Sequence, residues 1–192
     1  MFQAFANVTS SIDRFQDIQR SLQELAKKDV LVGVPEASSN RKDSSEVTNA
    51  ELVYMHTHGV RKLSMRQENQ EHMDRGAHYS QAYEMYMQTH GSPLWNSPPR
   101  PVIEPAIEAN KEEIGGLLRE ALTNALDGRP FEVALKKAGM KGQNVVRAWF
   151  VDPRNRWAPN SPVTIARKGS ERPLIDTGEM RKAITYIVRD KE

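Results

Sequence analysis

The chain has 192 residues, 27 of them basic and 25 acidic for a net charge of +2, and 38% are apolar. That length suits one domain with its own core, and so balanced a charge gives no electrostatic footprint for nucleic acid or an anionic membrane. There is no cysteine, which excludes disulfides and thiolate chemistry; no apolar run approaches the roughly 18 residues of a membrane span, and the first residues lack the basic-then-apolar order of a secretory signal.

Ser10 or Ser11 caps a first helix. Ile12, Phe15, Ile18, Leu22 and Leu25 follow at helical spacing and form one apolar stripe. Val30-Leu31-Val32-Gly33-Val34, ended by Pro35, reads as a strand. Glu36 to Ser45 reads as a polar loop, expected to be mobile. Residues 49–56 form a short helix, capped by Thr48 or Asn49 and ended by Gly59. Residues 61–96 read as a polar insertion without a clean period, helical around 79–89. All five histidines (His56, His58, His72, His78, His90) fall between 56 and 90. With no cysteine and no compact ligand spacing they read as a solvated surface, not a metal site. Trp95 lies in a loop between Pro93 and Pro98, placed for an interface contact. Ser97 to Pro101 is a stiff, extended segment.

A long helix is expected from Val102 or Glu104 to Leu126, with Gly128 as its stop. Gly115-Gly116 inside it costs roughly 1 kcal/mol per glycine, which predicts a kink or a close helix crossing. Pro130 then opens a helix through Lys137, stopped by Gly139, and residues 143–150 read as a further helix or a strand, the helix being favoured, with Trp149 and Phe150 in the core. Val163 to Arg167 reads as a strand that pairs with a last strand at 183–188. The expected fold class is α+β in a single domain over 1–192. Its small antiparallel or mixed sheet is packed by the N-terminal helix and one long central helix, with the polar insertion at 61–96.

Asp176-Thr177-Gly178 matches the triplet of aspartic proteases, which need two carboxylates sharing one proton. The chain has one such triplet, so a dimer mate would have to bring the second. Only 14 residues follow Gly178, too few for the flap and core strands, and Glu179 stands where a small residue usually sits. Asp176 instead reads as a helix N-cap, with Glu179 at the spacing of a capping box. Gly115-Gly116 lacks the Lys-Ser/Thr of a phosphate loop, and no serine sits in a nucleophile elbow. No catalytic, cofactor or metal residue is assigned. An alternative of a different class makes 130–150 a helix-turn-helix-like DNA-binding module. Lys136, Lys137, Lys141 and Arg147 are its charges, although Leu135 is bulkier than the small residue such a turn needs.

Several pieces occur in a fixed order. They are residues 49–56 ending in Gly59, Pro98-Pro99-Arg100-Pro101 before the expected long helix, and Pro173-Leu174-Ile175-Asp176-Thr177-Gly178-Glu179-Met180-Arg181 with Ile184-Thr185-Tyr186 behind it. In this order the chain resembles the virion-morphogenesis, or tail-completion (neck), proteins of long-tailed phages and prophages, over about residues 30–59 and 97–190. The resemblance implies a non-enzymatic structural part of the head–tail junction that forms a ring, a hexamer. Its implied partners are its own copies, the head–tail connector and the tail terminator or tail tube proteins. No cofactor, membrane or specific nucleic acid is implied, although packaged DNA would pass through the ring. The implied location is the virion, with the host cytoplasm during assembly. Interface contacts are expected at Trp95, Pro98, Pro99, Arg100, Asp176 and Arg181. The segment 61–96 is longer than the family leads one to expect.

Overall fold

The structure is a computed structural model that describes residues 15–41, 46–91 and 94–191. A helix at residues 15–26 (α1) comes first, followed by β1 (Lys28–Gly33), α2 (Glu36–Ser39) and α3 (Asn49–His58). Next come β2 (Val60–Arg61), α4 (Leu63–Asp74), α5 (Tyr79–His90) and β3 (Trp95–Ser97). Helices α6 (Ile103–Glu108), α7 (Lys111–Leu126) and α8 (Glu132–Trp149) follow, then α9 (Pro162–Lys168), α10 (Glu179–Ala183) and β4 (Thr185–Asp190). The class is α+β: helices dominate, and the strands make two small antiparallel pairs, β1 with β4 and β2 with β3.

Alternation sets the β1–β4 ribbon. Val30 faces Val188 and Val32 faces Tyr186 across the ladder. Val30 and Val188 pack on one core cluster, with Ala121, Ala125, Phe131 and Leu135; Val32 packs on the other. Leu31 and Ile187 pair on the opposite, exposed face, as a period of two requires. Leu22 and Leu25 of the α1 stripe also pack on the first cluster. Ile12 and the proposed Ser10 or Ser11 cap lie outside the described residues. The second cluster joins Val53, Val102, Ala106, Val146, Trp149, Phe150, Met180 and Ile184, so Trp149 and Phe150 are core residues.

The long central helix is not where the sequence puts it. Residues 103–126 split at Ala109-Asn110. The Asn110 side chain donates to the Ala106 carbonyl at 2.7 Å, satisfying one of the carbonyls that the end of α6 leaves open. Gly115 and Gly116 lie inside unbroken α7, and no described atom lies within 4 Å of a Cβ at either, so neither kink nor close crossing explains them. The longest helix among the described residues is α8, which begins after Pro130 and runs through Gly139 without a stop. Gly139 and Gly142 form a track instead: a Cβ on Gly139 would meet the Tyr186 ring, and one on Gly142 would lie 2.8 Å from Val32 Cγ2. The strand ribbon can approach α8 only because these side chains are missing. One continuous helix over 132–149 also leaves no turn for a helix-turn-helix, which removes the geometry behind the DNA-binding alternative.

The strand expected at 163–167 is helix α9. Ser161 Oγ accepts the Thr164 N–H at 3.2 Å, Pro162 takes the first turn, and Gly169 closes the helix in the left-handed region. Start and stop signals outweigh the β preference of Val163, Thr164 and Ile165. The last strand therefore pairs with β1. The polar loop after Pro35 begins as α2, with Ser39 buried and the Ser38 hydroxyl donating to the Ala183 carbonyl at 2.8 Å; residues 42–45 lie outside the described ones. Of the two expected caps of α3, Thr48 is the one used, and it forms a capping box with Glu51.

The described residues of the 61–96 segment form a helical hairpin of α4 and α5, more regular than the sequence suggests. α4 packs on α5, with Met65, Ala82 and Tyr86 buried between them. None of these belongs to either core cluster. The β2–β3 pair closes the base, where the Lys62 N–H donates to the Leu94 carbonyl at 2.7 Å.

Candidate interaction site

The extended segment Pro98–Pro101 is strapped to the end of α3. The Arg100 N–H donates to the His56 carbonyl at 2.6 Å. Gly59, with φ +74, lies beneath it: a Cβ there would sit 2.8 Å from both Pro99 N and the Trp95 ring. Only glycine allows this approach and this backbone conformation. Proline cannot donate a backbone hydrogen bond, so the side chains of the segment's surroundings supply the rest of its anchorage.

Arg100 is 6% exposed. Its Nε and Nη2 donate to the Ala158 carbonyl at 3.0 and 2.9 Å, and Nη2 donates also to the Pro159 carbonyl at 3.0 Å. Trp157 answers in the other direction, its Nε1 donating to the Pro101 carbonyl at 3.1 Å, and its ring meets Phe150 edge-on. Residues 98–101 and 157–159 are thus stitched together by a planar cation and an indole. Arginine suits this because its fork reaches two carbonyls at once.

His56 and Lys168 complete a cationic neighbourhood. Burial pushes the His56 pKa down, and the charges of Arg100 and Lys168 push it the same way, so the ring is neutral near pH 7. Its Nδ1 is buried without a hydrogen-bond partner. Burial also lowers the Lys168 pKa; Asp176 opposes that shift, while Arg100 and Arg167 add to it. The Lys168 ammonium donates to the Arg172 carbonyl at 3.0 Å.

The expected interface residues separate into two groups. Pro99 and Asp176 are exposed, and Pro98 is half-buried. Arg100 is turned inward. Arg181 is half-buried, its Nε donating to the Arg147 carbonyl at 2.7 Å, while Arg147 donates to the Lys182 and Ile184 carbonyls, each at 2.8 Å. This reciprocal pair ties α8 to the last helix and strand. Trp95 belongs to β3, not a loop, and its half-buried ring packs over Gly59 and beside Arg61. The Arg61 guanidinium lies over three rings, Tyr79, Tyr83 and Trp95, at 5.7, 4.9 and 5.7 Å. These contacts anchor the hairpin base by cation–π attraction.

Asp176 does not cap α10. Gly178 is the residue before the helix, at φ +75, and the Glu179 N–H donates to Thr177 Oγ1 at 3.3 Å. That hydroxyl lies one residue ahead of the cap position, where Gly178 offers no side chain. The histidines do not gather: His90 pairs with Glu68 at 3.0 Å and His58 Nδ1 lies 2.9 Å from the Tyr54 carbonyl. Among the described residues no group of three or more His, Cys, Asp or Glu could hold a metal ion. From the sequence His56 reads as solvated surface and Arg147 as a charge of the helix-turn-helix alternative, and nothing there joins them to Lys168 and Trp157. The signal for the cluster was Arg100 itself, a lone charge within a proline-rich, otherwise apolar segment.

No family model, no curated protein and no solved structure matches this chain.

Proposed function

We propose that this chain is a structural, non-catalytic subunit of the head–tail junction of a long-tailed phage, and that it acts as a ring of identical copies. One observation supports the reading beyond the order of motifs. The two segments that carry the resemblance, 98–101 and 173–181, are far apart in sequence but dock on the same support. The first is bonded to the end of α3, and α10 at the end of the second packs against α3. Lys168 feels the charges of both Arg100 and Asp176. Pro99 and Asp176 are the exposed members of this frame, and they are the residues offered to a neighbouring copy. Arg100 and Arg181 hold the frame in shape from within. The connector on the head side and the tail terminator or tube on the tail side are the partners of the ring.

The test is removal of the gene from the phage that carries it, with electron microscopy of the lysate. DNA-filled heads and complete tails should accumulate unjoined, and supplying the protein should restore joined particles. Normal joined virions without the protein would overturn the assignment.

A further inference from the structure

The base of the α4–α5 hairpin carries a pocket of about 420 Å³ that opens to solvent. Arg61, Lys62, Ser64, Arg66 and Asn96 line it, with Leu63 as its apolar wall. None of the three cations is ion-paired among the described residues. The two carboxylates nearest in sequence, Glu68 and Glu71, pair instead with His90 at 3.0 Å and with Arg75 at 3.7 Å, and the first turn of α4 holds no acid. Lys62 and Arg66 are exposed and stand four positions apart, a spacing at which like charges repel across a helix surface. Arg61 is held in place beside them, its guanidinium over Tyr79, Tyr83 and Trp95. Stacking engages the faces of a guanidinium and leaves the N–H groups at its edge for other partners. The pocket is therefore a concentration of positive charge that the described chain does not neutralise.

We propose that this pocket binds the phosphate group of a small phosphate monoester. A dianion relieves the repulsion of all three cations at once. A monoester carries about −1.5 to −2 charges at pH 7 and three acceptor oxygens, which suit guanidinium forks and an ammonium together. The Ser64 hydroxyl and the Asn96 amide add uncharged donors. The pocket is larger than a phosphate group, and Leu63, 59% exposed, offers the carbon body of the ester an apolar contact. The charge pattern favours a small ligand over a length of nucleic acid. The cations are confined to this one pocket, while the rest of the hairpin sequence sets Glu68, Glu71, Asp74 and Glu84 against Arg75, so a phosphate backbone leaving the pocket along the hairpin would meet acids. The site is separate from the frame around Arg100, and it does not rest on the ring reading.

The experiment is isothermal titration calorimetry of the full chain with inorganic phosphate and with glycerol phosphate at low salt. The wild type should bind both saturably at one site, and glycerol phosphate the more tightly. Lys62→Gln and Arg66→Gln should each weaken binding about threefold to tenfold, with unchanged circular dichroism spectra because both side chains are exposed. Arg75→Gln, at the far end of α4, should leave binding as it is. Saturating glycerol phosphate should raise the Tm of the wild type but not that of the variant carrying both Lys62→Gln and Arg66→Gln. A wild type that binds neither probe overturns the proposal, and so does binding that the double variant retains. Binding that Arg75→Gln weakens as much as Lys62→Gln would report net charge alone and overturn it too. Duplex DNA bound through Lys62 and Arg66 by a protein that leaves glycerol phosphate free would assign the pocket to a nucleic-acid backbone and overturn the small-ligand assignment.

Discussion

Replacing Gly139 by Ala adds one methyl group to the middle of α8, where the Tyr186 ring already lies. The new Cβ would stand 2.8 Å from Cγ and 3.0 Å from Cε2 of that ring, and closer still to Cδ2. Cγ lies on the Cβ–Cγ axis, so flipping the ring about that bond cannot clear it. The strand cannot easily retreat either: Tyr186 is opposite Val32 in the β1–β4 ladder, and Val32 rests on Gly142. Carbon contacts settle near 3.5–4.0 Å, so the ring must withdraw by about 1 Å. Helix propensity favours Ala by about 1 kcal/mol, and overpacking costs about 1–3 kcal/mol. With the ring anchored, the cost falls in the upper part of that range and the net loss is about 1–2 kcal/mol. The same substitution at Gly116, where no described atom lies within 4 Å, keeps the propensity gain of about 1 kcal/mol. For a domain of this size each kcal/mol moves Tm by about 2–4 °C, so calorimetry separates the two variants by sign. Tyr186→Ala removes the obstacle, and in that background Gly139→Ala should become stabilising. A Gly139→Ala variant more stable than wild type, or one with the same effect in both backgrounds, would refute the packing argument.

Asp176→Ala should change urea stability by no more than about 0.5 kcal/mol, because the carboxylate is exposed and caps nothing, while Gly178→Ala should cost about 1–2 kcal/mol for its left-handed backbone. Arg100→Ala leaves the Ala158 and Pro159 carbonyls without their donor and should destabilise by about 2–4 kcal/mol; Arg100→Lys should recover little, since one ammonium cannot span the fork. The His56 pKa is lower folded than unfolded, so the unfolded state binds more protons as pH falls below the ordinary histidine value of 6.5. Stability should therefore fall through that window, by no more than about 1.4 kcal/mol per pH unit, and unfolding curves of His56→Gln against wild type should show a shallower fall. Deleting residues 64–92 and joining the β2 and β3 ends with a short linker should leave a cooperatively folded domain by circular dichroism but impair head–tail joining; full complementation by the deletion would remove the hairpin from the interface.

Much of the local structure was legible because it is written in local chemistry. Thr48 and Glu51 make the capping box of α3, Gly59 ends it, and the alternation of Val30 and Val32 marks a half-buried strand. The misreadings arose where two local signals compete. Val163-Thr164-Ile165 has strand propensity, but Ser161-Pro162 and Gly169 enclose it with helix signals. Asp176 has the chemistry of a cap, but α10 starts only at Glu179, with Gly178 as the residue before it. Gly139 resembles a helix stop because a glycine so often is one. The hairpin hid for another reason: its buried Met65, Ala82 and Tyr86 are too few to impose a period on a polar sequence.

The chain's composition, its helix boundaries marked by caps, its two terminal-side strands and its α+β class follow from residue order alone, since each depends on neighbours within a turn or a strand. Tertiary structure decided the rest. It made α8 the central helix, because only there do two missing side chains let the β1–β4 ribbon approach. It turned Arg100 inward, because the carbonyls that satisfy it come from residues 158 and 159, over fifty positions away. It left Leu118, Leu122 and Leu126 nearly half exposed on α7. Burial and long-range hydrogen bonds depend on which distant segments meet, and no local pattern carries that information.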